Sequence, residues 1–99
     1  MSTHQQAAEQ IAEALQHLQD TFRVVEETTD PQQAFELATK LVDDLGNLYE
    51  QAADLRARQV GRIWRAEELS LADLAERISV SKARAGQFVT RAARLTKGE

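Results

Sequence analysis

Apolar residues recur along this chain at alternating spacings of three and four, and each interruption of that rhythm marks an element boundary. From about His4 to Glu27, the positions Ala8, Ile11, Leu15, Leu18, Phe22 and Val25 make a heptad seam, which predicts one amphipathic helix. Thr28, Thr29, Asp30 and Pro31 break it. Asp30 suits an N-cap, Pro31 suits the first helical position, and Gln33 completes a D-x-x-Q capping box, so a second helix is predicted directly afterwards. Its seam is Ala34, Ala38, Leu41, Leu45, Leu48, Ala52 and Leu55. A short connection between two such seams predicts a long antiparallel helical hairpin, with Leu41 near Leu18, Leu48 near Ile11 and Leu55 near His4.

Beyond Leu55 the helical rhythm continues from Arg56 to Glu68, but Val60, Ile63 and Trp64 form a fresh stripe with a different phase. Gly61 lies inside it and Gly46 inside the hairpin. Glycine costs about 1 kcal/mol against alanine in a helix, so each marks either a kink or a close contact. Ser70 and Asp73 then form a capping box that starts a helix at Leu71, with Leu71, Leu74, Ala75 and Ile78 as its apolar stripe. Ser79 and Val80 end it. Ser81 caps a further helix with Ala85, Phe88, Ala92 and Leu95 buried, and Val80 plugs the corner between the two. Two short helices joined by a tight turn match the unit that places its second helix in the DNA major groove, and the Val60, Ile63 and Trp64 stripe supplies the third wall of its core.

The stretch SLADLAERISVSKARAGQFVTRAARL, Ser70 to Leu95, resembles the promoter-recognising helix-turn-helix at the C-terminal end of bacterial primary sigma factors, whose usual pattern is LeEIAerLgVSreRvRQIe. The matching residues are Leu71, Leu74, Ala75, Glu76, Arg77, Ile78, Val80, Ser81, Arg84 and Gln87, followed by the basic Arg91 and Arg94. The resemblance covers about a quarter of the chain and implies a DNA-binding scaffold. The positions where that family carries its main base readers, typically Arg, Glu and Arg, hold Lys82, Ala83 and Gly86 here, so two polar readers are missing. Ser79 stands where the family commonly has glycine. The N-terminal hairpin has no counterpart in the resemblance.

Composition narrows the rest. The 99 residues suffice for one domain, or for a bundle with a small appended head, and the abundance of Ala, Gln, Leu and Glu with a single proline favours an all-α chain. With no cysteine there are neither disulfides nor thiolate metal sites, as expected in a reducing cytosol. The first residues do not read as a signal peptide, and no apolar run approaches the ~20 residues of a membrane span. Charge is divided unevenly. Residues 1–55 hold two basic side chains against eleven acidic ones, a net of −9, whereas residues 56–99 hold ten against five, a net of +5. A basic head on an acidic body is the electrostatic footprint of a nucleic-acid binder.

The predicted architecture is therefore a helical hairpin over residues 1–55 and a DNA-binding head over residues 56–99 that shares the end of the second helix. Phe22, Phe35, Leu37 and Tyr49 lie near or off the seams without an internal partner, so a homodimer is expected, with Ile11, Leu15, Leu18, Phe22, Leu41, Leu45 and Leu48 building a four-helix bundle. The DNA-binding set is Ser81, Lys82, Ala83, Arg84, Gly86, Gln87, Thr90, Arg91 and Arg94: Gln87 suits an adenine edge, Ala83 a thymine methyl, and the cations suit phosphates. Arg56, Arg58, Arg62 and Arg65 add to the cation count on the second helix.

An enzyme is not expected. Nucleophile, base and orienter do not converge, His4 and His17 lack metal-ligand spacing, and there is no glycine-rich phosphate loop, so no cofactor, metal or small-molecule ligand is expected. The expectation is a cytoplasmic, nucleoid-associated transcriptional regulator or accessory factor of bacterial type, acting on double-stranded DNA. The alternative is an adaptor whose sigma-like unit docks on RNA polymerase, a sigma factor or another regulator; the bare Ala83 and Gly86 favour it, and Lys82, Gln87 and Arg94 oppose it.

Overall fold

A computed structural model describes residues 2–97 and is all-helical over them: α1 spans Thr3–Glu26, α2 Pro31–Ala66, α3 Leu71–Arg77 and α4 Lys82–Lys97. Two compact units divide the chain, Met1–Asp44 and Leu45–Glu99, and the boundary falls inside α2. Ala53 and Ala57, both in the second unit, are buried. Among the described residues, no helix is long and apolar enough to cross a membrane.

In the first unit, the ends of the helices follow from local capping. Ser2 accepts a hydrogen bond from the Gln5 amide at 3.1 Å, which satisfies one of the free donors at the start of α1. Asp30 accepts one from the Gln32 amide at 3.1 Å and starts α2, with Pro31 as its first residue. The box differs from the D-x-x-Q expectation: Gln32, not Gln33, bonds Asp30, and the Gln32 side chain donates onward to Glu36 at 3.2 Å. Exposed pairs at helical spacing, Arg23 with Asp20 and Lys40 with Asp44, add modest, solvent-screened support to local helicity. The hydrogen bond to Asp44 holds the Lys40 ammonium above its ordinary pKa. Along the predicted seams, Leu18, Val25, Ala34 and Leu41 near the connection are half-buried, while Ile11 and Leu15 farther out are 62% and 56% exposed.

The second unit has the core. Ala57, Val60, Leu74, Ala75, Ala85 and Phe88 are buried together, and Ile63, Trp64, Leu69, Leu71, Ile78, Val80, Val89 and Leu95 pack around them. The Val60, Ile63 and Trp64 stripe thus packs as expected. Leu55 and Ala52 are exposed, and the buried residues beside them are Ala53 and Ala57, on another face of the helix. These small residues continue into Gly61, where an added Cβ would lie 2.9 Å from the Cβ of Ala92. Of the two glycine readings, close contact is the one that holds at Gly61. Around Gly46 there is nothing within 4 Å.

The turns inside this unit are built from left-handed residues. Ser70 caps α3 by accepting from the Asp73 amide at 3.1 Å, and Ser81 caps α4 by accepting from the Arg84 amide at 3.0 Å, both as the sequence predicts. Between them Ser79 adopts φ 60°, so that its own amide bonds the Glu76 carbonyl at 3.2 Å and the Val80 amide bonds Ala75 at 2.9 Å. That pair of bonds is a Schellman closure, and it explains why glycine suits the position. Glu68, at φ 49°, ends α2 in the same way, and the Leu69 amide reaches back to the Trp64 carbonyl at 3.3 Å.

Candidate nucleic-acid interface

α4 buries one side and exposes another. At about 100° per residue, Ala85, Phe88 and Ala92 share a side, and Ala83, Gln87, Thr90 and Arg94 fall opposite them. α3 and the end of α2 cover the first side through the core just described. The second is exposed at all four positions. Lys82 and Gly86 lie on the flank toward α3, where a Cβ on Gly86 would meet the Leu71 side chain at an ordinary 3.7 Å. Gly86 is consequently half-buried, and Lys82 is exposed at the first helical position.

Several predicted contact residues already have work within the chain. The Ser81 hydroxyl is the N-cap acceptor of α4. The Thr90 hydroxyl donates to the Gly86 carbonyl at 2.9 Å. The Arg84 guanidinium lies 4.4 Å over the Phe88 ring and donates to the Gln87 side-chain oxygen at 3.2 Å. That bond occupies one lone pair of the Gln87 carbonyl oxygen and leaves its NH₂ group free to donate outward.

Arg91 behaves differently from the other cations of α4. Its Nε donates to Asp54 at 2.8 Å and its Nη2 to Glu50 at 2.9 Å, both on α2. Hydrogen bonding to Asp54, opposed by desolvation and reinforced by Glu50, raises the Arg91 pKa further above its ordinary value. Its positive charge is thus matched by carboxylates of the same unit, and the geometry makes it a clamp between α4 and α2.

Beside that clamp is a groove of about 200 Å³, lined by Arg56, Arg84, Gln87, Arg91 and Arg94 with Ala53 and Phe88 at its base. Arg56, from α2, places its guanidinium 5.1 Å from the centroid of the same Phe88 ring that Arg84 covers. Among the described residues none of Arg56, Arg84 and Arg94 is paired with a carboxylate. The sequence counted Arg56 only as one of four helix-two cations. What singles it out is its position beside the buried Ala53 and Ala57, which sets it at the edge of the α4 contact.

Of the residues expected at a dimer seam, Leu18, Leu41 and Leu45 are half-buried, and Ile11, Leu15, Phe22 and Leu48 are exposed. Phe35, Val42 and Tyr49, spaced by sevens along α2, are 64%, 70% and 66% exposed. Comparison of the chain with protein-family models, with curated proteins and with solved structures finds no match.

Proposed function

We propose that this protein is a small DNA-binding factor in which α3, its turn and α4 act as a helix-turn-helix, with α4 entering the major groove. The observation that carries the reading is the exposed side of α4. It presents Ala83, Gln87 and Arg94, with Lys82 on its flank and no carboxylate among them, on a helix packed from behind against the core of the second unit. Lys82 and the Gln87 NH₂ group suit base-edge acceptors near the N-terminal end of α4, and Ala83 suits a thymine methyl. Arg94, about two turns on, suits backbone phosphate.

In the same proposal α1 and α2 form an antiparallel hairpin, and two copies associate through Ile11, Leu15, Phe22 and Leu48 into a four-helix bundle. Its support is the exposure of so many large apolar side chains on helices that have no other cover. A dimer would present two copies of α4 and bind paired half-sites. The sigma-like resemblance of Ser70 to Leu95 supports a role as a transcriptional regulator or accessory factor.

A second reading has a specific observation behind it. Gly86 is tucked against Leu71 and Ala83 offers only a methyl group, so part of the exposed side is small and apolar enough to dock on RNA polymerase, a sigma factor or another regulator. Selection of bound duplexes from a random pool separates the two. The DNA reading expects an enriched half-site; failure to enrich any sequence, together with no retention of duplex at low salt, refutes it.

A further inference from the structure

The groove beside α4 has an electrostatic imbalance that the base-reading surface does not explain. Two guanidiniums, Arg56 from α2 and Arg84 from α4, stack on the one Phe88 ring at 5.1 and 4.4 Å, and Arg94 stands at the rim of the same groove. A guanidinium has five N–H donors; Arg84 spends one on Gln87, so both groups keep donors for a ligand while they contact the ring. Like charges gathered in this way repel one another, and no carboxylate among the described residues neutralises these three. The neighbouring carboxylates, Glu50 and Asp54, are already engaged by Arg91. A tetrahedral oxyanion would relieve the repulsion and accept several N–H donors at once.

We propose that Arg56, Arg84 and Arg94 form a phosphate-binding subsite that seats one backbone phosphodiester of duplex DNA, with Arg56 as its anchor outside α4. The proposal rests on the DNA reading above and adds to it a grip contributed by α2. It also gives Phe88 a second task, since the ring that fills the core is the platform on which both guanidiniums are set.

The test is a salt series of duplex binding by the full chain, followed by fluorescence anisotropy, for Arg56→Gln, Arg56→Lys, Lys82→Gln and Arg62→Gln. Arg62 is on the same helix but bonded to Gln59 and away from the groove, so it serves as the control. Arg56→Gln is expected to weaken binding to all duplexes severalfold and to lower the log–log salt slope by a part of the ~0.9 that the one phosphate seated by the three arginines contributes. Arg56→Lys is expected to retain the slope, and Arg62→Gln to leave slope and affinity unchanged; thermal melts confirm that each variant folds. If Arg56→Gln matches the unmodified chain while Lys82→Gln loses affinity, the subsite is refuted and the DNA reading stands. If no duplex binds, both fall. A parallel titration with inorganic phosphate, read at the arginine Nε–H resonances, distinguishes the source: millimolar saturation at Arg56 and Arg84 without duplex binding would make this a free-anion site and overturn the DNA assignment.

Discussion

Replacing Gly61 by alanine should destabilise this protein, although helix propensity alone predicts the reverse. Alanine is better than glycine in a helix by about 1 kcal/mol. At position 61, however, the new methyl would sit 2.9 Å from the Ala92 Cβ, against the ~3.5–4.0 Å of an ordinary carbon–carbon contact. Neither carbon has a rotamer by which to escape, so α2 and α4 must separate by about 0.6 to 1 Å. A gap of that size forfeits a quarter to a half of the dispersion well at the neighbouring contacts, here those that Ala57 and Val60 make in the shared core with Ala85 and Phe88. Overpacking of this kind costs about 1–3 kcal/mol, and the absence of rotamer relief places it toward the upper end. Net of propensity, a loss of about 1–2 kcal/mol remains. Gly46→Ala, in the same helix with nothing within 4 Å, should instead gain about 0.5–1 kcal/mol. Urea denaturation followed by far-ultraviolet circular dichroism reads both. For an m-value near 1 kcal/mol per M the midpoints should move by about 1–2 M down and about 0.5–1 M up. Ala92→Gly in the Gly61→Ala background should recover part of the loss, with a coupling of about 1 kcal/mol. Equal stabilisation by both alanines would refute the close approach.

The remaining predictions concern caps, charge and assembly. Ser79→Gly should raise the melting temperature, by the equivalent of about 0.5–1 kcal/mol, because the residue sits at φ 60°; Ser79→Val should lower it. Arg91→Gln should change the salt slope of DNA binding less than Arg94→Gln does, because Glu50 and Asp54 already neutralise that cation, whereas Arg94→Gln removes a part of the ~0.9 that the shared phosphate contributes. Gln87→Ala should relax sequence preference at one position by about 1–3 kcal/mol, measured as a specificity profile; an unaltered profile would remove Gln87 from the reading surface. Light scattering should give twice the chain mass for the unmodified protein and a smaller mass for Leu48→Asp, and a monomeric unmodified protein would end the dimer proposal.

What could be read from the sequence was whatever depends on nearest neighbours along the chain. Ser70 and Ser81 mark their helices because a capping hydroxyl bonds an amide three residues on; Ser79 stands out only against the glycine of the sigma-factor pattern, and its left-handed backbone is a finding of the structure. The Val60, Ile63 and Trp64 stripe was visible because its side chains are large. What the sequence does not show involves small or dual-purpose residues. Ala53 and Ala57 carry no hydropathic signal, since alanine is as common on the outside of a helix as within, so the pattern runs through Ala52 and Leu55 and passes over the two residues that are buried. Arg91 reads as a phosphate contact until Asp54, 37 residues earlier, is found 2.8 Å away. Only the crossing of α2 and α4 brings Arg56 to the Phe88 ring, and no local pattern encodes that crossing.

Trp64 is the only tryptophan in the chain, and it is half-buried against the core of the second unit, while α1 has neither tryptophan nor tyrosine. Intrinsic fluorescence excited near the red edge of the indole band therefore reports on residues 45–99 alone, without any label. Helix ellipticity averages over all four helices, most of whose residues belong to α1 and α2. The two signals amount to separate clocks for the two units. If they keep the same time through a thermal or chemical transition, the 36-residue α2 melts as a single cooperative rod; if the fluorescence runs late, the helix has come apart at its N-terminal end while its C-terminal end still stands.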